Sequence, residues 1–217
     1  MKGGIYMSRN VQENNNIHNR TMTLTGQGQV TAVPNIAVIH LGVQTRGENL
    51  VSIQSENAQI TQSIIQSLQR MGVTDIKTFQ YSIDKVYDYE DGRQIDRGYS
   101  VRNILEIRTP NLDRVGNIID TAVNMGANVV ELISFDISNR EYYYQQALNM
   151  AVRNAIQKAN SISLNLGIPS EPVPVKIVEN LIQPIQQPYF RQELAATTPI
   201  MPGNIKIEAS VTVDFTF

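Results

Sequence analysis

The chain closes on an alternation that leaves little choice of structure. Ile205, Ile207, Ala209, Val211, Val213, Phe215 and Phe217 fall on one side. Lys206, Glu208, Ser210, Thr212, Asp214 and Thr216 fall on the other. Successive side chains of a strand point to opposite faces, so this run is a half-buried antiparallel strand. Such a strand needs hydrogen-bonded neighbours and an apolar layer beneath it. Leu, Ile, Val and Phe supply that layer, with 62 of the 217 residues. That is too apolar for a disordered chain. A chain of this size buries about 70% of its unfolded surface and needs no staples.

It has none, because there is no cysteine. Thiolate catalysis, disulfide scaffolds and Cys-based metal sites are excluded. The two histidines, His18 and His40, leave little for a histidine metal site or a Ser-His-Asp triad. The net charge of −2 offers no basic surplus for nucleic acid or anionic lipid. No stretch approaches the roughly 18 apolar residues of a membrane span. Residues 1–21 carry the run Asn14-Asn15-Asn16 and scattered charges, without the apolar core of a secretory signal. They read as a disordered tail, and the chain as cytoplasmic.

From residue 22 onward the order reads β-β-α-β-β-α-β-α-β-β. Two strands, Thr23 to Ala32 and Ile36 to Arg46, flank a turn at Pro34-Asn35. A helix from Asn49 to Met71 carries the stripe Ile53, Ile60, Ile64, Leu68 and Met71 and stops at Gly72. A long hairpin follows. Phe79, Tyr81, Ile83, Tyr87 and Tyr89 alternate with polar residues, Asp91-Gly92 marks its tip, and Tyr99, Val101, Leu105 and Ile107 lead back. The second helix runs from Asn111 to Met125, and a strand spans Val129 to Ile137. Ser138 and Glu141 have the spacing of a capping box for the third helix. Its stripe is Leu148, Ala151, Val152, Ala155, Ala159, Ile162 and Leu166. Pro172 to Ile182 reads as a strand.

The stretch from Ile36 to Ile137 is a βαββαβ array, the ferredoxin-like arrangement. Right-handed crossovers place both of its helices on one sheet face. The expectation is a two-layer α+β domain over residues 22–217, one compact unit. Its sheet is mainly antiparallel, with helices on one face.

No residue set earns a catalytic, cofactor-binding or metal-binding role. Gly26-Gln27-Gly28 with Thr31 has the look of a dinucleotide fingerprint, but the glycines lie inside a strand followed by another strand. That motif needs a third glycine opening a helix; close backbone approach or a bulge explains these two. His40, between Ile39 and Leu41 in a strand, is a structural histidine. Asp84, Asp88, Glu90, Asp91 and Asp96 interleave with Lys85, Arg93 and Arg97, which suits a salt-bridged hairpin better than a calcium loop.

Two segments stand out as contact surfaces. Tyr142, Tyr143 and Tyr144 open a helix, where three aromatics cannot all face one core. From Gln183 to Gly203 lie Pro184, Pro188, Pro199 and Pro202. Long loops of this kind (184–203) are functional or disordered. This one carries Tyr189, Phe190, Leu194, Ile200 and Met201. Its prolines lack N–H donors, which blocks runaway sheet growth. It precedes a closing strand whose edge, if open, templates pairing.

Five segments in order also resemble the SIMPL domain family (DUF541). They are Thr25-Gly26-Gln27-Gly28-Gln29-Val30 with Pro34-Asn35-Ile36-Ala37; Tyr87 and Tyr89 with Gly98-Tyr99 and Asn103; and Asn111-Leu112-Asp113-Arg114-Val115-Gly116 with Gly126-Ala127-Asn128. Then come Ile133-Ser134-Phe135 with Ala147, Ala151, Ala155 and Lys158-Ala159, and Pro202-Gly203 with the closing strand. The resemblance implies no catalytic residues and no cofactor. It implies envelope proteins among Gram-negative members, links to oxidative-stress tolerance, ring-forming relatives, and a mammalian member that binds a receptor-associated kinase. The tail of this chain departs from the envelope members by showing no signal peptide.

The functional expectation is a non-enzymatic SIMPL-domain protein acting through self-assembly or protein binding, as a homo-oligomer, with no nucleic acid and no membrane span. The rival is a small-ligand-binding or enzymatic module using a cleft between sheet and loop.

Overall fold

A computed structural model describes residues 20–181 and 202–217. The described residues form β1 (Thr21–Ala32), β2 (Ile36–Gly47), α1 (Leu50–Arg70), β3 (Asp75–Glu90), β4 (Arg93–Thr109), α2 (Val115–Asn124), β5 (Val129–Asp136), α3 (Arg140–Asn165), β6 (Val173–Asn180) and β7 (Ile205–Thr216). A 3-10 turn, Leu112–Arg114, leads into α2. The element order is the one the sequence periodicities predict.

The strands divide into two antiparallel sheets, β3-β4-β2-β5 and β1-β7-β6. In the first, each helical crossover skips a place that the other pair fills. Every neighbouring pair is therefore antiparallel, with Ile39 opposite Ile107 and Leu41 opposite Leu105. Both helices of this array lie on one face. Ile64 and Leu68 of α1 and Ile118 and Ile119 of α2 share one core with Ile39, Leu41, Leu105 and Ile107. Helix α1 starts where the Asn49 side chain accepts the Ser52 N–H at 3.1 Å.

The strands β1, β7 and β6 build the second sheet rather than extending the first, and beside β1 the Phe217 N–H donates to the Arg20 carbonyl at 3.1 Å. The closing alternation buries Ile205, Ile207, Ala209, Val211, Val213 and Phe215. Helix α3 covers this sheet with Ala151, Ala155 and Ala159 against Val211, Val213 and Phe215. The glycines of β1 come closest to it. A Cβ at Gly26 would stand 2.0 Å from the Ala151 carbonyl oxygen, and one at Gly28 2.0 Å from that of Ala147. Close approach is thus the role of Gly26 and Gly28.

Three expectations change. The strand β7 is not an edge but the middle of its sheet, between β1 and β6. The cap of α3 is Asn139, whose side chain accepts the Tyr142 N–H at 3.3 Å. Ser138 instead exchanges hydrogen bonds with the side chain of Asn35, at 2.8 and 2.9 Å. The buried face of α3 is Ala147, Ala151, Ala155, Ala159 and Ser163, while Leu166 is 68% exposed. Small residues outcompete the larger ones there because the strand backbone lies too near for a long side chain.

The described residues divide into two compact units, the first drawn from 20–28, 147–181 and 209–217, and the second from 29–146 and 202–208.

Candidate docking surface

Tyr142 is 55% exposed, with its ring edge-on to Tyr143 at 5.4 Å between centroids. Tyr143 and Tyr144 are half-buried. The triplet is therefore split between packing and solvent. Tyr189, Phe190, Leu194, Ile200 and Met201, with Pro184, Pro188 and Pro199, lie outside the described residues, as does His18.

The sheet edges differ in how they are closed. The β1 edge is held by α3: Asn154 accepts the Gln27 N–H at 3.1 Å, and Lys158 donates to the Thr25 carbonyl at 2.7 Å. The β6 edge exposes Val173, Val175 and Ile177. It also carries Pro174, Lys176 and a register shift between them, the devices that discourage strand addition.

A row of exposed aromatic and apolar side chains belongs to β3, the edge of the four-stranded sheet. Its pairing with β4 puts Tyr81 opposite Asn103, Ile83 opposite Val101 and Lys85 opposite Tyr99. Cross-strand partners share a face, and here it is the face bearing α1: the Gln54 side chain donates to the Tyr81 hydroxyl at 3.3 Å. The opposite face of the same stretch shows Gln80, Ser82 and Asp84. The strand is therefore two-sided, and its aromatic side is only partly roofed. Tyr81, Ile83 and Tyr87 are each roughly half exposed.

Beyond Tyr99, where β2 pairing ends at Gly47, β3 and β4 continue alone as a ribbon. Asp91 and Gly92 close it with φ of 50° and 76°, the two positive values of a type I′ turn. Two-stranded ribbons are marginal by themselves, and side chains brace this one. Arg97 pairs with Glu90, and with Asp88 at 3.5 Å. Lys85 pairs with Asp96 at 2.7 Å, its ammonium 5.4 Å from the Tyr87 ring centre and 5.9 Å from that of Tyr99. Asp88, Glu90 and Asp96 are thus salt-bridged, as their interleaving with cations implied, while Asp84 accepts from the Ser82 hydroxyl at 3.0 Å.

The hydrogen bond to Asp96, helped by its charge, holds Lys85 above the ordinary lysine value. The bond from Lys85, then that from the Gly98 N–H, holds Asp96 below the ordinary carboxylate value. The Asp96 contribution is present above the unfolded carboxylate value and is lost as pH falls through its lowered folded value. The Lys85 contribution is present below the unfolded lysine value and is lost as pH rises through its raised one. Amide protection of the ribbon is therefore expected to stay level from about pH 5 to about 9 and to decline outside that range. Lys85→Met should remove the alkaline limb and make the acid one shallower, leaving the part due to the Gly98 N–H. A decline inside the range, followed by hydrogen exchange, would assign control to another group.

His40 is 8% exposed on the other face of the sheet. Its Nε2 is 3.2 Å from Glu106, and its ring stacks on Phe79 at 4.0 Å. Phe79 sits at a register shift of β3. The partners of His40 are thus a carboxylate and a ring, which fits the structural role expected. Among the described residues no three His, Asp or Glu side chains are grouped to hold a metal, and no helix is long and apolar enough to cross a membrane.

In the sequence, Tyr81, Ile83 and Tyr87 show as an alternation but are not marked as a surface. The available signal was an aromatic row on a hairpin whose strands, of 16 and 17 residues, outrun the 12-residue β2.

The chain is similar in sequence to known proteins. The 26 kDa periplasmic immunogenic protein of Brucella melitensis is 28% identical over 209 residues, 89% of this chain and 83% of its own length. The protein YggE of Escherichia coli, described as uncharacterized, is 26% identical over 141 residues, 64% of this chain and 57% of its own. YggE of Edwardsiella ictaluri is 26% identical over 152 residues, 69% and 64% respectively. The SIMPL family model, described as a protein of unknown function (DUF541), matches residues 22–215, and the chain belongs to that family.

Proposed function

We propose that this SIMPL-family chain is a docking module, which holds protein chains and carries out no chemistry of its own. The observation that supports this reading is the half-exposed aromatic side of β3. Contiguous apolar surface of this kind marks interaction sites, and Tyr is enriched in the cores of interfaces. Tyr142 is proposed as a second contact. The cytoplasmic location expected from the tail stands as a proposal against the periplasmic name of the Brucella relatives; fractionation of the producing cell decides it.

Site-specific photocrosslinking in the producing cell tests the docking reading. A photoreactive phenylalanine replaces Ile83 or Tyr87, and Leu166 in the control. Discrete protein adducts, this chain or another, are expected at 83 and 87 and not at 166. Equal, unstructured labelling at all three positions would overturn the reading.

A further inference from the structure

The two sheets have four edges, and they are not closed alike. The β1 edge is tied to α3 at Gln27 and Thr25, and the β6 edge carries Pro174, Lys176 and a register shift. The β3 edge is guarded by two register shifts, near Phe79 and Val86, and by Lys77, Asp84 and Lys85. The fourth edge is β5, and among the described residues its one strand neighbour is β2. Its sequence, Val-Val-Glu-Leu-Ile-Ser-Phe-Asp, holds neither proline nor lysine. The pairing with β2 is irregular at Glu131 and then runs without a shift from Leu132 to Asp136. An edge of this kind presents a row of backbone N–H and C=O groups, and their complement is another extended backbone.

Burial points the same way. On the helix side of the sheet, the central strands bury Ile39, Leu41, Leu105 and Ile107 to 1% exposure or less. Val130, Ile133 and Phe135 of β5 pack against that same core and stay only partly buried. A strand laid beside β5 completes their cover. The end of α2, from which the chain turns into β5, adds Val123 and Met125, both exposed. The acids of the edge already have partners: Glu131 pairs with Arg102, and Asp136 with Arg140 at 3.3 Å. The edge therefore calls for backbone and apolar side chains, not for charge.

We propose that β5 takes up an extended segment of another protein as a further strand of the four-stranded sheet. Main-chain hydrogen bonds supply the affinity, and alternate side chains the specificity. The segment is free of proline, which would leave the ladder a donor short. It is apolar at every second position, on the side that meets Val130, Ile133 and α2. Size favours a peptide over a folded partner. The regular edge, Leu132 to Asp136, falls far short of the about 20–30 residues a side of a standard interface, whereas a single added strand needs no more. This edge is separate from the aromatic side of β3, and the proposal does not rest on that surface.

Short random peptides, displayed on phage and selected on the full chain, test this. Proline-free sequences with alternating apolar residues are expected to be enriched. A selected peptide, added in solution, should protect backbone amides between Leu132 and Asp136 from hydrogen exchange and leave those of β3 and β6 unchanged. Ser134→Lys places a guard on the edge and should weaken that peptide at least about tenfold, while Ser82→Lys on β3 should not. Ser134→Glu, a guard of opposite sign, should act like Ser134→Lys, and circular dichroism confirms that each variant is folded. Failure to enrich such sequences, or protection that falls elsewhere than on β5, overturns the proposal. So does β5 protection that grows with the concentration of the chain alone, because the occupant would then be a second copy. None of these results bears on the crosslinks expected at positions 83 and 87, so this proposal and the docking reading fail separately.

Discussion

Replacing Gly28 or Gly26 by alanine is expected to cost about 3 kcal/mol or more each, lowering Tm by roughly 6–12 °C. The added Cβ at position 28 would stand 2.0 Å from the Ala147 oxygen and 2.6 Å from the Ala151 nitrogen. At position 26 it would stand 2.0 Å from the Ala151 oxygen and 2.9 Å from the Ala155 Cβ. These are mostly helix backbone atoms, which cannot turn aside as a side chain can. Helix α3 would have to lift from β1. Lifting it also stretches the two hydrogen bonds that close the β1 edge, from Gln27 to Asn154 and from Lys158 to Thr25. Neither glycine has positive φ, so the penalty is one of space rather than backbone conformation. Gly167 separates the two causes: its φ is +66° and nothing lies within 4 Å of its missing Cβ. Gly167→Ala should therefore cost only about 1 kcal/mol, from conformation alone. Thermal melts of the three variants rank them. A Gly28→Ala chain as stable as Gly167→Ala would mean that strand and helix are not in close contact.

That contrast shows where sequence reading succeeds and where it stops. Period-2 runs such as Ile205 to Phe217 and period-3.6 stripes such as Ile53, Ile64 and Leu68 report burial directly, and the element order follows from them. Interleaved pairing of the βαββαβ array was legible too, because crossover handedness leaves few alternatives. Partition into two sheets was not. Nothing in the alternation of β7 says which strands flank it, since a central strand and an edge strand bury the same residues on one face. The alanine face of α3 was half visible, read as part of a wider apolar stripe. Glycine in a strand and alanine in a helix become one feature only when the two backbones are brought together. The surface on β3 was missed for a different reason. Exposure depends on whether a helix reaches over a strand, and the first turn of α1 stops at the row of Tyr81.

Asn57 was passed over altogether, as a polar residue inside an apolar helix pattern, and its loss is expected to be the other costly change. It is 1% exposed. One side-chain nitrogen donates to the carbonyls of Val43 and Val101, both at 3.1 Å, while its oxygen accepts from Thr61 at 3.4 Å. A single amide thus ties β2, β4 and α1 together in the dry layer under the helix. Asn57→Leu keeps the branched shape, with somewhat more volume, and removes both donors, leaving two buried carbonyls without that partner at about 1–3 kcal/mol each. The expected total is about 3 kcal/mol, read as a lower urea midpoint at unchanged slope. Thr61→Val, which removes only longer contacts, should cost about 1 kcal/mol. Asn57→Asp should be worse than leucine at neutral pH, because a carboxylate would face two carbonyl oxygens, and its deficit should shrink on acidification as the group protonates. An Asn57→Leu chain of normal stability would show that these carbonyls find other donors. The consequence reaches the surface, because Val101 lies opposite Ile83 on one side and Thr45 on the other, at the rung from which the ribbon departs. Asn57→Leu should therefore weaken docking together with stability. Changes at Tyr81 and Tyr87 should weaken docking alone, and that difference separates the frame that presents the ribbon from the side chains that make the contact.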